Sequence, residues 1–93
     1  MTATLQSRIR ISDEVLFRDL GGEAVLLHLE TGQYYGLDPV GTRMWELLRE
    51  HHLPGAVCQA MLAEYEVTEE RLREDLVRFI GELASLQLVA VEE

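Results

Sequence analysis

Three histidines, one cysteine and seventeen acids are the residues with which this chain could do chemistry. A cysteine beside a histidine would make a nucleophile, and clustered His, Asp and Glu would hold a metal ion. The spacing supports neither. His51 and His52 are adjacent, so on a helix their side chains diverge by about 100° and do not ligate one ion together; they read as solvated residues at a helix end. Cys58 stands beside Val57 in a short amphipathic stretch and reads as a structural thiol. The pairs Glu69-Glu70 and Glu74-Asp75 alternate with Arg71, Arg73 and Arg78, the pattern of a solvated helix face with its own ion pairs. His28 lies in an apolar strand, away from the others. The sequence contains no nucleophile elbow, no HExxH, no glycine-rich phosphate loop and no CxxC. It therefore predicts no catalytic residue, no metal and no cofactor, and function must be sought in binding.

Composition narrows the partner. With 93 residues, 47% hydrophobic and 27% charged, the chain suits one folded domain over 1–93. The net charge is −9, and all eight bases are arginine. Without lysine there is no Schiff base and no phosphate-loop ammonium. The acidic excess repels phosphate backbones and anionic lipid, so nucleic acid and membrane are poor partners and another protein is a better one. A lone cysteine forms no intramolecular disulfide, and no apolar run has the length of a signal or a span, which predicts a cytoplasmic location.

Two periodicities divide the chain, strand-like over 15–37 and helix-like over 39–86, after an N-terminal segment over 1–12. That segregation predicts an α+β fold. Val15 to Asp19 and Ala24 to Glu30 flank Gly21-Gly22 as a hairpin, and Thr31-Gly32 leads into a third strand, Gln33 to Leu37. Asp38-Pro39 is a helix start, with a capping carboxylate and a proline at the first helical position. That helix fades around His51-His52. A shorter one follows Leu53-Pro54-Gly55, with Val57, Met61 and Tyr65 on one face. Thr68 caps the longest, where Leu72, Leu76, Phe79, Leu83 and Leu86 recur at helical spacing. Gln87 to Val91 is read as an extended tail, and the order as βββααα, a three-stranded antiparallel sheet followed by three helices.

Loop length at Thr31-Gly32 sets the register of the second hairpin. A two-residue loop pairs Leu27 with Gly36 and spends a core position on glycine. A three-residue loop pairs Leu29 with Gln33, Leu27 with Tyr35 and Val25 with Leu37. The second is preferred, since it gathers Val25, Leu27, Leu29, Tyr35 and Leu37 on one face and leaves Leu26, His28 and Tyr34 on the other. Because a helix follows the third strand, one edge of that strand keeps unpaired backbone groups, to which an extended peptide could add. The same edge could pair with a second copy as a dimer.

The run Gly32-Gln33-Tyr34-Tyr35-Gly36-Leu37-Asp38, continued by Pro39 to Leu48, resembles the PqqD-like family, the peptide-recognition elements of RiPP biosynthesis. So do Tyr65-Glu66-Val67 and the stretch from Phe79 to Leu88, and the likeness extends from Val15 to Val89. Two departures are that Asn is usual where this chain has Asp38, and glycine is frequent where it has Gln87. The resemblance implies a winged-helix-like fold in which the leader of a precursor peptide binds between the third strand and the third helix. Carried over, the strand side is Gln33, Tyr34, Tyr35, Gly36 and Leu37, with Tyr34 facing the groove. The helix side is drawn from Arg73, Leu76, Val77 and Ile80, and Arg73 and Arg78 are candidates to pair with acidic leader residues. The implied function is non-catalytic presentation of the leader to an enzyme, with a lasso-peptide leader peptidase and cyclase preferred. A radical SAM enzyme of the pyrroloquinoline quinone type is the alternative enzyme partner. A winged-helix nucleic-acid regulator is the alternative from another class, disfavoured because residues 69–86 are net negative.

Overall fold

A computed structural model describes residues 7–92; residues 1–6, which begin the expected N-terminal segment, and residue 93 lie outside the described residues. The elements are β1 (Arg8–Ile11), β2 (Val15–Asp19), β3 (Ala24–His28), β4 (Tyr34–Gly36), α1 (Pro39–His51), α2 (Pro54–Glu64), α3 (Glu69–Ser85) and β5 (Val89–Glu92). β2, β3 and β4 form an antiparallel sheet in that order, followed by the three helices, as the periodicities require. The ends of the chain add something the periodicities did not predict. β1 pairs antiparallel with β5, Ile9 opposite Val91, as a separate two-stranded sheet.

The caps explain the helix boundaries. The Asp38 carboxylate accepts from the Gly41 amide at 2.7 Å, and Pro39 follows at the first helical position. The Thr68 hydroxyl accepts from the Arg71 amide at 3.2 Å, and Glu69 and Glu70 occupy the first turn of α3, where the helix dipole favours anions. α3 ends in a Schellman turn. The Leu88 amide donates to the Leu83 carbonyl, the Gln87 amide to that of Ala84, and Gln87 takes a left-handed φ of 61°.

Between the sheet and the helices lies one core. α1 contributes Met44, Trp45, Leu47 and Leu48, α2 contributes Val57, Cys58 and Met61, and α3 contributes Leu72, Leu76, Ile80 and Leu83. On the surface, the Arg43 guanidinium clamps the Glu64 carboxylate at 2.7 and 2.8 Å and ties α1 to the end of α2. The terminal sheet closes one side with Ile9, Leu88 and Val89. His52 joins it to α1. Its carbonyl accepts from the Ile9 amide at 2.7 Å, and its Nδ1 lies 3.2 Å from the Ile9 carbonyl, which can only accept, so Nδ1 carries the proton.

The expected register of the second hairpin is overturned. The loop is four residues long: the His28 amide donates to the Gln33 carbonyl at 3.0 Å and the Gly32 amide to the His28 carbonyl at 2.8 Å. Gly32 is left-handed at φ 73°, a conformation glycine adopts without steric cost. The pairs are therefore Val25 with Gly36, Leu26 with Tyr35 and Leu27 with Tyr34, one step from the preferred arrangement and two from its competitor. Faces change with it. Ala24, Leu26 and His28 are buried, Tyr35 faces inward with Leu26, and Tyr34 faces outward with Leu27. A close approach to α1 decides this. The Ala24 amide donates 2.8 Å to the buried Thr42 hydroxyl, and because amide direction and side-chain face alternate together along a strand, this contact goes with the even-numbered residues of β3 facing inward.

Candidate functional site

β4 has β3 on one side and no strand on the other. The Leu37 amide donates to the Ala24 carbonyl and the Gln33 carbonyl accepts from His28, so odd-numbered residues of this stretch point their backbone groups at β3. By the alternation of antiparallel pairing, the amide and carbonyl groups of Tyr34 and Gly36 point away from the sheet. They form a short polar ledge. Tyr34 beside it is 70% exposed, and a Cβ built on Gly36 would meet nothing within 4 Å, so the backbone here is open to close approach. Gln33 is exposed, while Tyr35 and Leu37 are half-buried and pack against the core.

Where β4 runs into α1, the ledge opens on a cleft of about 280 Å³ between that junction and α3. Asp38, Val40, Gly41 and Met44 line one wall, and Asp75, Arg78, Phe79 and Glu82 the other. Gly41 lets the walls meet. A Cβ built there would lie 3.1 Å from the Asp38 carboxylate and 3.6 Å from the Phe79 ring. Three carboxylates against one guanidinium make the cleft negative. Its arginine is also engaged, since Arg78 pairs with Asp75 at 2.9 Å, and Arg71 reaches the same carboxylate at 3.4 Å.

The helix residues expected at a groove are distributed differently from the strand residues. Leu76 and Ile80 are fully buried and belong to the core behind the cleft. Arg73 pairs with Glu69 at 3.2 Å and lies near enough to Cys58 of α2 for its charge to act on the thiol. Val77, one turn further along, shares that flank. None of the four lines the cleft; Arg78 does. Phe79 belongs to the apolar stripe that the spacing identifies, whereas Asp75 and Glu82, on the opposite shoulder of that stripe, escaped sequence reasoning, because periodicity finds the stripe but not the neighbour beside each shoulder. Gly41 carried a usable signal as a glycine inside a helix, which marks a close approach.

Groups that could react are elsewhere. Burial pushes the Cys58 thiol up from its usual range, with Arg73 opposing and Glu69 adding to the effect, which disfavours the thiolate. His28 is buried, its Nδ1 accepting from the Glu30 amide at 3.3 Å. Among the described residues no three His, Cys, Asp or Glu side chains are grouped to hold a metal, and no helix is long and apolar enough to cross a membrane. What remains is a ledge of backbone donors and acceptors beside an acidic, partly apolar cleft, a shape that takes an extended peptide.

Comparison with known proteins bears on this shape. A family model described as coenzyme PQQ synthesis protein D (PqqD) matches residues 23–89. A solved structure of TbiB1 in complex with the TbiA(β) leader peptide is similar, with 44% identity over 86% of this chain and 93% of that one, at a TM-score of 0.83. A second, of lasso peptide synthetase B1 complexed with the leader peptide, shares 23% identity over 89% and 98% of the two chains, at a TM-score of 0.81, and supports the fold alone. No curated protein matches the chain.

Proposed function

The chain belongs to the PqqD family, and from that premise we propose that it is a non-catalytic RiPP recognition element for a lasso-peptide precursor. It takes the leader segment as an added strand on β4 and presents it to the leader peptidase and cyclase. The observation that carries this reading is the unpartnered β4 ledge opening on the cleft to α3. It is supported by the 44% identity to a protein solved with a leader peptide bound. Main-chain hydrogen bonds to Tyr34 and Gly36 supply affinity with little regard to sequence, and the cleft selects side chains. The strand side of the site is Gln33 to Leu37. The helix side is Asp75, Arg78, Phe79 and Glu82, with Leu76 and Ile80 as its supporting layer. Holding peptide and enzyme together raises the local concentration of each at the other, which requires no catalytic group in this chain.

Finer features of the reading follow the same premise: a winged-helix-like outline, a cytoplasmic setting and the lasso client in preference to a radical SAM enzyme. The −9 charge and the net negative α3 argue against nucleic acid. A second copy could occupy the β4 edge only in competition with the leader.

Calorimetric titration with the synthetic leader of the precursor encoded beside this gene tests the proposal. Micromolar or tighter binding is expected, together with loss of at least tenfold in affinity when leader amides in the added strand are N-methylated. Tyr34→Glu is expected to weaken binding similarly, while Val77→Glu, on the α2 flank, leaves it within about twofold. No binding by the wild-type protein, or indifference to N-methylation, would refute strand addition.

A further inference from the structure

The corrected register leaves an apolar surface on the side of the sheet away from the core. Leu16 is 55% exposed, Leu20 62% and Tyr34 70%, and with the half-buried Val25 and Leu27 they line a hollow of about 420 Å³ around Arg18. Contiguous apolar surface of this kind on a small acidic protein marks an interaction site. Its charges are arranged. Arg18 stands among the leucines with no ion pair to any described residue, and the exposed acids Glu14, Glu23 and Glu30 lie just beyond the strand ends.

We propose that this outer sheet face is the docking surface for the enzyme that processes the held peptide, which presents to it an apolar patch, a carboxylate opposite Arg18 and basic groups around the margin. The inference rests on the leader-binding reading above and extends it to a second surface. Two observations select this occupant. A second copy docked face to face about a two-fold axis would bring Arg18 near Arg18 and the acidic rims together, on molecules that already carry −9 each. The face is also continuous with the peptide ledge, because Tyr34 belongs to both, so an enzyme seated there lies directly beside the added strand. An extended peptide satisfies its backbone at the β4 edge and gains no such pairing on the face of a sheet.

The test uses the purified leader-removing peptidase and the full chain loaded with leader, with Leu16→Glu, Leu20→Glu and Arg18→Glu as variants. Leu16 and Arg18 lie on β2 with β3 between them and β4, so leader affinity in those two variants is expected to stay within about twofold of wild type; Leu20 lines a hollow with Gly36 and Leu37, so Leu20→Glu is read for peptidase binding and dimerisation only. Peptidase affinity is expected to fall at least tenfold in each, and wild-type binding to weaken with salt as the rim charges are screened. If wild type fails to bind leader, the leader-binding reading fails and this inference with it. If Leu16→Glu and Arg18→Glu bind leader and all three variants retain wild-type peptidase affinity, the docking surface alone is refuted. A wild-type dimer by sedimentation that dissociates in Leu20→Glu, with peptidase affinity unchanged, would likewise overturn the assignment in favour of a second copy.

Discussion

The two faces of the three-stranded sheet carry nearly the same apolar load and meet opposite fates. Inside lie Val15, Phe17, Ala24, Leu26, His28 and Tyr35; outside lie Leu16, Arg18, Val25, Leu27 and Tyr34. The bulk of the hydrophobic side chains on β3 favours Val25 and Leu27 for the core, yet the face with Ala24, Leu26 and His28 is the buried one. Two local matches outweigh the bulk. The Ala24 amide reaches the Thr42 hydroxyl, and the His28 Nδ1 accepts from the Glu30 amide. Burial thus follows fit to the neighbouring helix, and the outer face keeps its leucines and tyrosine exposed.

The largest effect that can break this comparison is a pair of truncations. Leu26→Ala is expected to cost about 3 kcal/mol in urea unfolding, the usual penalty for emptying a buried leucine site. Leu27→Ala, its outward neighbour, is expected to cost less than about 1 kcal/mol. Equal losses would mean that the two faces are not distinct. Thr42→Val comes next. It removes the hydroxyl that accepts from the buried Ala24 amide and is expected to cost about 1–3 kcal/mol, the penalty for an orphaned buried donor. Hydrogen exchange at Ala24 should quicken with it. An unchanged midpoint would show that Thr42 does not hold the face.

A control belongs to neither face. Gln87 holds a left-handed φ at the end of α3, where glycine would be unstrained. Gln87→Gly is expected to stabilise the protein by up to about 1 kcal/mol, with the sheet's hydrogen-exchange pattern unchanged. A destabilised variant would assign the Gln87 side chain a role that its exposed position does not suggest.

Local chemistry explains which parts were legible in the sequence. The start of α1 is spelled by Asp38-Pro39 and that of α3 by Thr68 with its two glutamates, because caps act within one turn and leave a short signature. The β4 segment was legible for the same reason, as a strand ending at a helix cap. Register was not. β3 is apolar at both parities and its larger side chains favour the parity that faces out, while the deciding contact comes from Thr42 in another element. The candidate site divides in the same way. Its proposed strand side is one continuous run, Gln33 to Leu37. The helix wall of the cleft depends on which shoulder of α3 meets Asp38 and Gly41, and both shoulders read alike until the helix is docked. A one-residue step in a hairpin and a half-turn of a helix are the two quantities that sequence periodicity leaves free.

The pairing of β1 with β5 bears on the order of folding. Arg8 meets Glu92 and Ile9 meets Val91 only after nearly the whole chain has been drawn together, so this contact has the greatest loop-closure entropy in the molecule. The β2–β3–β4 meander and the three helices need only short closures and can assemble first. The β4 ledge and its cleft can therefore form before β1 and β5 pair. In the finished molecule, fraying of the β1–β5 clasp would open the helix side of the core through Leu88 and Val89 while leaving the hairpins paired.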